Sequence, residues 1–150
     1  MNNGFSQKER KYWMEVLAAA SVAELERAWE RLGQRPAYEF LRRPETGMVM
    51  VRAKADGNGA PFNFGEIPVT RCTVRVTGGA SGCAYVKGTL RRHAELAAVM
   101  DALLQREETR EEVRRKAILP VVRRRAVERK ADAEKTDATK VDFFTMVRGE

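Results

Sequence analysis

Between Arg71 and Val76 every second residue is apolar: Cys72, Val74 and Val76 alternate with Arg71, Thr73 and Arg75. Side chains of a strand point to opposite faces in turn, so one face of this segment must be covered while the other can meet water. The same period occurs in MVMVRAKA, where Val49, Val51, Ala53 and Ala55 share one face and Arg52 and Lys54 the other. Gly78 and Gly79 then turn the chain towards CAYVKG, residues 83–88, and Tyr38–Leu41 is a further short candidate. Strands joined this way form an antiparallel sheet, here of three to four strands, with one face buried.

The covering layer flanks the strands in sequence. Ser6 with Glu9, and Ser21 with Glu24, are capping boxes that open two helices. The first carries Tyr12, Trp13, Val16, Leu17 and Ala20 at helical spacing. The second turns Val22, Leu25 and Trp29 inward and ends before Gly33 and Pro36. Two abutting helices predict an αα-hairpin. From about Thr89 the helical period returns, with Leu90, Ala94, Ala97, Ala98, Leu103 and Leu104 on one face. This helix continues through QREETREEVRRKA, where Glu111–Arg115 and Glu112–Lys116 have i,i+4 spacing. Pro120 either stops it or starts another helix.

The expected fold is therefore α+β, one domain over residues 1–150. An antiparallel sheet has helices packed on one face, followed by a charged helical arm over about 106–140 and an extended apolar tail over 141–150. The tail, VDFFTMVRGE, is unusual behind so charged an arm. It either adds as a strand to a sheet edge in another subunit or folds back as a last strand of its own sheet.

A net charge of +7 favours anionic partners without choosing among them. The arm sequence VVRRRAVERK invites a small basic nucleic-acid-binding protein as the alternative function. Against it, Arg123, Arg124 and Arg125 fan around a helix, acidic residues flank them, and no aromatic platform interleaves. The apolar runs fall short of the roughly 18–20 residues a membrane helix needs. The first residues, MNNGFSQKERKYW, lack the apolar core of a signal peptide, so the expected location is cytoplasmic.

Candidate chemistry is sparse. Cys72 and Cys83 cannot supply the four thiolates of an ordinary iron–sulfur cluster. His93 and Glu95 give H-A-E without the second half of a zinc-deaminase signature. As the single histidine, His93 is a candidate acid–base group or phosphate contact, with Arg91 and Arg92 beside it; the plain alternative is a surface or helix-start histidine. Arg71, with Arg75 and Thr73, is either an anion site, a solvated face or a surface meeting a partner's acids. In the loop Asp56–Glu66, Gly57 and Gly59 are candidate ligand-binding positions, though a turn between strands explains them equally.

Several segments together resemble the PhnG family of the carbon–phosphorus lyase system. They are KYWMEVLA, the G-x-G-x-P-F-N-x-G-E…V-T-R segment, G…HAE…DALLQ and the terminal V-D-F-F-T-M-V-R-G. The likeness runs from about Lys11 to Glu150 and is weakest over Arg106–Lys135. It implies a subunit of the carbon–phosphorus lyase core complex, with PhnH-, PhnI- and PhnJ-type partners, two copies of each, the PhnI-type subunit being the main contact. Such complexes form α-D-ribose 1-methylphosphonate 5-triphosphate from ATP and methylphosphonate, releasing adenine. The resemblance implies that nucleosidase-like chemistry belongs to the PhnI-type subunit. It assigns the iron–sulfur cluster and S-adenosylmethionine to the PhnJ-type subunit, so this chain alone would bind no cofactor. His93, Arg71, Gly57 and Gly59 match family motifs without an assigned role. A partner that buries Phe143, Phe144, Met146, Val147 and Arg148 would account for the apolar terminus.

Overall fold

The computed structural model describes the backbone of residues 4–54 and 61–148, with side-chain surroundings given for these except residues 53, 54, 61, 63, 64 and 138–148. The chain forms α1 (Gln7–Ala19), α2 (Val22–Arg31), β1 (Tyr38–Lys54), β2 (Pro61–Val76), β3 (Ser81–Lys87), α3 (Arg91–Leu104) and α4 (Glu107–Val113). A π-helical turn (Arg114–Ile118) then leads into α5 (Leu119–Arg148). The sheet is antiparallel in the order β1-β2-β3. This is the α+β arrangement expected, with three strands.

Both capping boxes form: Ser6 and Ser21 each accept from the backbone of Glu9 and Glu24, whose carboxylates reach back to the cap N–H. Yet α1 and α2 do not make the predicted hairpin with each other; each packs chiefly on α3. The reason is α3 itself. From His93 to Leu104 every residue except Glu95 is buried, so α3 is apolar on nearly all sides and takes neighbours on all of them. One side lies on the sheet, through Cys72, Val74, Val76, Ala84 and Val86; the other meets α1 and α2. Gly82 allows the closest approach. A Cβ there would collide with the Ala98 carbonyl oxygen and stand 2.5 Å from the Ala102 nitrogen. The turn joining β2 to β3 runs through Gly78 and Gly79 at φ of +106° and +102°, where a side chain would be strained.

Three expectations need correction. First, Tyr38–Leu41 and Met48–Lys54 belong to one continuous strand, and β2 begins at Pro61, inside the segment read as a loop. The outer halves pair only with each other, Met48 with Pro68 and Ala53 with Phe62, while β3 reaches no farther than Val69. This two-stranded ribbon runs past the helical layer, so the predicted half-burial of Val49 is not met: Met48, Val49, Met50 and Phe62 are 45–59% exposed. Second, the long helix after Thr89 breaks at Gln105. The chain restarts as α4 and continues without a stop through Pro120. The π-turn just before Pro120, in which the Leu119 N–H bonds Arg114 O, opens the helix where a proline interrupts the regular bonding. Third, the backbone of 141–148 is helical, as part of α5, and not extended. No proline or glycine lies between Pro120 and Gly149 to end the helix.

Candidate functional site

The outer sheet face carries the predicted arginines. Glu45, Arg71 and Tyr85 stand opposite one another across the three strands. The Arg71 guanidinium meets Glu45 at 2.6 Å, and Arg42 meets the same carboxylate at 3.2 Å. The hydrogen bond from Arg71 holds Glu45 below the usual carboxylate range, and Glu45 in turn raises Arg71. A hollow of about 370 Å³ lies here, lined by Arg71, Tyr85, Glu45, Thr46, Met48 and Val69 among others. Arg71 and Arg42 share the Glu45 carboxylate and Arg75 stands 3.9 Å from Glu39, so two of the three positive charges on this face are already offset.

His93 lies on the far side of the sheet from Arg71. It is 7% exposed and its Nε2 is 3.1 Å from the Leu17 carbonyl oxygen, so it is neither a surface residue nor near the arginine face. Its neighbour Arg92 does not wait for an anion at the helix start. It binds Glu26 at 2.5 Å and Glu95 at 3.3 Å, and Glu95 accepts from the Tyr38 hydroxyl at 2.5 Å. This network ties α2, β1 and α3 together. Gly57 and Gly59 lie outside the described residues.

Sequence reasoning missed Asp101, whose carboxylate is wholly buried in α3. It accepts from Trp13 Nε1 at 2.7 Å, Arg10 at 2.9 Å, the Cys83 backbone N–H at 3.0 Å and Gln105 at 3.4 Å. The only signal was one acid inside the apolar run AAVMDALL. Beside it, α1 and β3 bound an apolar groove of about 410 Å³, with Met14, Ala18, Ala84 and Val86 in its walls and Lys11 and Glu15 at its rim.

The cysteines are both free. Burial pushes Cys72 up to about 11, and burial, reinforced by Asp101, raises Cys83. Such thiols are poor metal ligands, since ligation needs the thiolate. No group of three or more His, Cys, Asp or Glu side chains that could hold a metal ion occurs among the described residues. Nor is any helix among them long and apolar enough to cross a membrane.

The basic arm is partly structural. Arg124 reaches Glu24 at 3.0 Å, the Ala19 carbonyl oxygen at 3.0 Å and Glu128 at 3.0 Å, riveting the first turns of α5 to the α1–α2 junction. That removes the central arginine of the RRR run from a phosphate-binding stripe. Beyond it, residues 126–137 are all exposed. Phe143, Phe144, Met146, Val147 and Arg148 have a helical backbone, and their side chains lie outside the described residues.

A protein-family profile described as "Phosphonate metabolism protein PhnG" matches residues 8–149. The chain is also 45% identical over 142 residues to the "Alpha-D-ribose 1-methylphosphonate 5-triphosphate synthase subunit PhnG" of Rhizobium meliloti (strain 1021), covering 95% of this chain and 90% of that one. The aligned span takes in the sheet, the buried α3 and the arm. The chain belongs to the PhnG family of phosphonate metabolism proteins.

Proposed function

We propose that this chain is the PhnG-type subunit of an α-D-ribose 1-methylphosphonate 5-triphosphate synthase. In that role it works with PhnH-, PhnI- and PhnJ-type partners, two copies of each, on ATP and methylphosphonate, with release of adenine. The observation that carries this reading is the near end-to-end likeness to a protein bearing that name. Phosphonate breakdown in the cytoplasm is the setting it implies.

Within the complex the chain has a structural or accessory part. His93 faces the core and Arg71 faces solvent paired to Glu45, so the two cannot act on one substrate atom. Each is better accounted for by what it holds in place. The iron–sulfur cluster and S-adenosylmethionine belong on the PhnJ-type partner, in keeping with two separate protonated thiols here. The PhnI-type subunit is the main contact, reached by the far end of α5 with Phe143, Phe144, Met146, Val147 and Arg148.

The test is native mass spectrometry of the tagged chain, expressed with and without the three partner subunits. A stoichiometric hetero-oligomer that makes the triphosphate product is expected. A lone monomer in both preparations would overturn the reading.

A further inference from the structure

β3 is an outer strand, so one side of its backbone faces no other strand. Part of that side is closed from within the chain. The Cys83 N–H donates to Asp101, and the Ser81 carbonyl accepts from Gln105 at 2.7 Å. The intervening residues bond the other way, as the Val76 N–H to Ala80 O and Gly88 N–H to Pro68 O contacts at the two ends show. Since backbone groups alternate along an antiparallel strand, the N–H and C=O of Tyr85 and the N–H of Lys87 must point outward with those of Ser81 and Cys83. They lie beyond Asp101 and Gln105, at the part of the edge that borders the groove with α1.

We propose that the Cys83–Lys87 edge is a docking site for an acidic extended segment of a different subunit, which adds to the sheet as a fourth strand alongside α1. This rests on the reading of the chain as a complex subunit. The occupant follows from the chemistry of the walls. Outward N–H and C=O groups at strand spacing are satisfied by another extended backbone, whereas a helix has spent its own groups internally. Alternate side chains of the added strand would rest on Met14, Ala18 and Ala97, which favours small or medium apolar residues there. Arg10 is already neutralised by Asp101; Lys11 and Glu15 offset each other in the groove, and the exposed Lys87 at the end of the strand leaves the edge positive, which suits acidic residues in the added segment. A second copy suits the site less well. Its other sheet edge, β1, carries Arg42, Arg43, Arg52 and Lys54 against Glu39 and Glu45, so it too is net positive, and pairing it with β3 would bring like charge together in a head-to-tail contact.

The test is hydrogen–deuterium exchange resolved to single amides, on the chain alone and in the co-expressed complex. The Tyr85 and Lys87 amides should exchange readily in the free chain and slow by about 100-fold or more on assembly. Tyr85→Pro removes the outward N–H, a change an edge strand tolerates, and should cut recovered complex about tenfold at an unchanged melting temperature, whereas Tyr85→Val, which removes the exposed ring and keeps the N–H, should assemble as the parent does. If the complex forms with both amides exchanging as in the free chain, the docking edge is wrong and the subunit reading stands. Protection already present in a monomer, or appearing with a homodimer mass, overturns the choice of occupant. Failure of the unaltered chains to assemble overturns both. Should Tyr85→Pro not fold, the exchange comparison still decides.

Discussion

The Asp101 carboxylate stands 2.7 Å from the indole nitrogen of Trp13, with both residues almost wholly out of water. That one acid joins three elements: α1 through Trp13 and Arg10, β3 through the Cys83 N–H, and α3 on which it sits. A buried charge is tolerable only when its lone pairs are met, and here five N–H donors from four residues meet them. Asp101→Ala would strand the Trp13 and Cys83 donors and leave Arg10 without its counter-charge. We expect a loss of about 3–5 kcal/mol in urea unfolding, the range for breaking a buried pair on one side. Arg10→Ala should also destabilise, since it leaves the carboxylate short of its cation; a shift under about 0.5 kcal/mol for Asp101→Ala would show that Asp101 is not the hub described.

Gly82→Ala tests the contact between β3 and α3. The added methyl meets backbone atoms of Ala98 and Ala102, which cannot rotate away as a side chain would. Overpacking of this kind costs about 1–3 kcal/mol or more. The variant should be expressed largely insoluble or melt well below the parent, whereas Gly47→Ala, with nothing within 4 Å, should melt as the parent does. Equal melting of the two would contradict the close approach.

Local signals were legible where local physics decides. Ser6–Glu9 and Ser21–Glu24 announced both helix starts, and the Cys72–Val74–Val76 alternation fixed which face of β2 is covered. Tertiary facts were not. The apolar period that marks Val49 and Val51 as a strand is indifferent to whether anything covers them, and Val49 stays exposed. Asp101 was missed because most of its donors are far off in sequence: Trp13 and Arg10 in α1 and the Cys83 backbone N–H in β3, with Gln105 alone nearby. Of the two plain readings of His93, the helix start holds, since it is the third residue of α3, while the surface does not, because α1 closes over it.

His93 separates a structural role from a chemical one. In His93→Ala the Leu17 carbonyl loses its contact and a small void opens beneath α1. Stability should fall by about 1–3 kcal/mol. Product formation per assembled complex, measured at a temperature where the variant is folded, should be unchanged. A drop of about 100-fold in turnover at full assembly would return His93 to the chemistry.

Acid should loosen the joints between helices. The hydrogen bond from Arg92 holds Glu26 below its ordinary value of 4.5, and Lys116, with the Gly33 N–H, does the same for Glu112. Groups depressed in the folded state contribute fully above their unfolded value and lose that contribution as pH falls through the folded one. The urea midpoint should therefore be level from pH 7 to about 5.5 and decline below about 4.5. Glu26→Gln with Glu112→Gln should start lower at pH 7 and decline less steeply. An identical slope in parent and double variant would mean that these pairs are too well solvated to matter.

The far end of α5 poses the sharpest separation between folding and assembly. Among the described side chains of the helix, Arg124 is the last that bonds to α1 or α2, and residues 126–137 are all exposed. At about 1.5 Å per residue the helix carries Arg148 roughly 35 Å beyond that grip. An exposed helix of mixed charge gains little from its own length, and its sequence ends in Phe143, Phe144, Met146 and Val147, which are costly to leave in water. If a partner covers those residues, removing Val141–Glu150 should leave the melting temperature of the isolated chain within a degree or so, because no core contact is lost. It should also abolish co-purification with the PhnI-type subunit. The pattern that would sink the anchor is the converse: a truncated chain that still assembles, or one that melts several degrees lower because the segment had been packing on its own body.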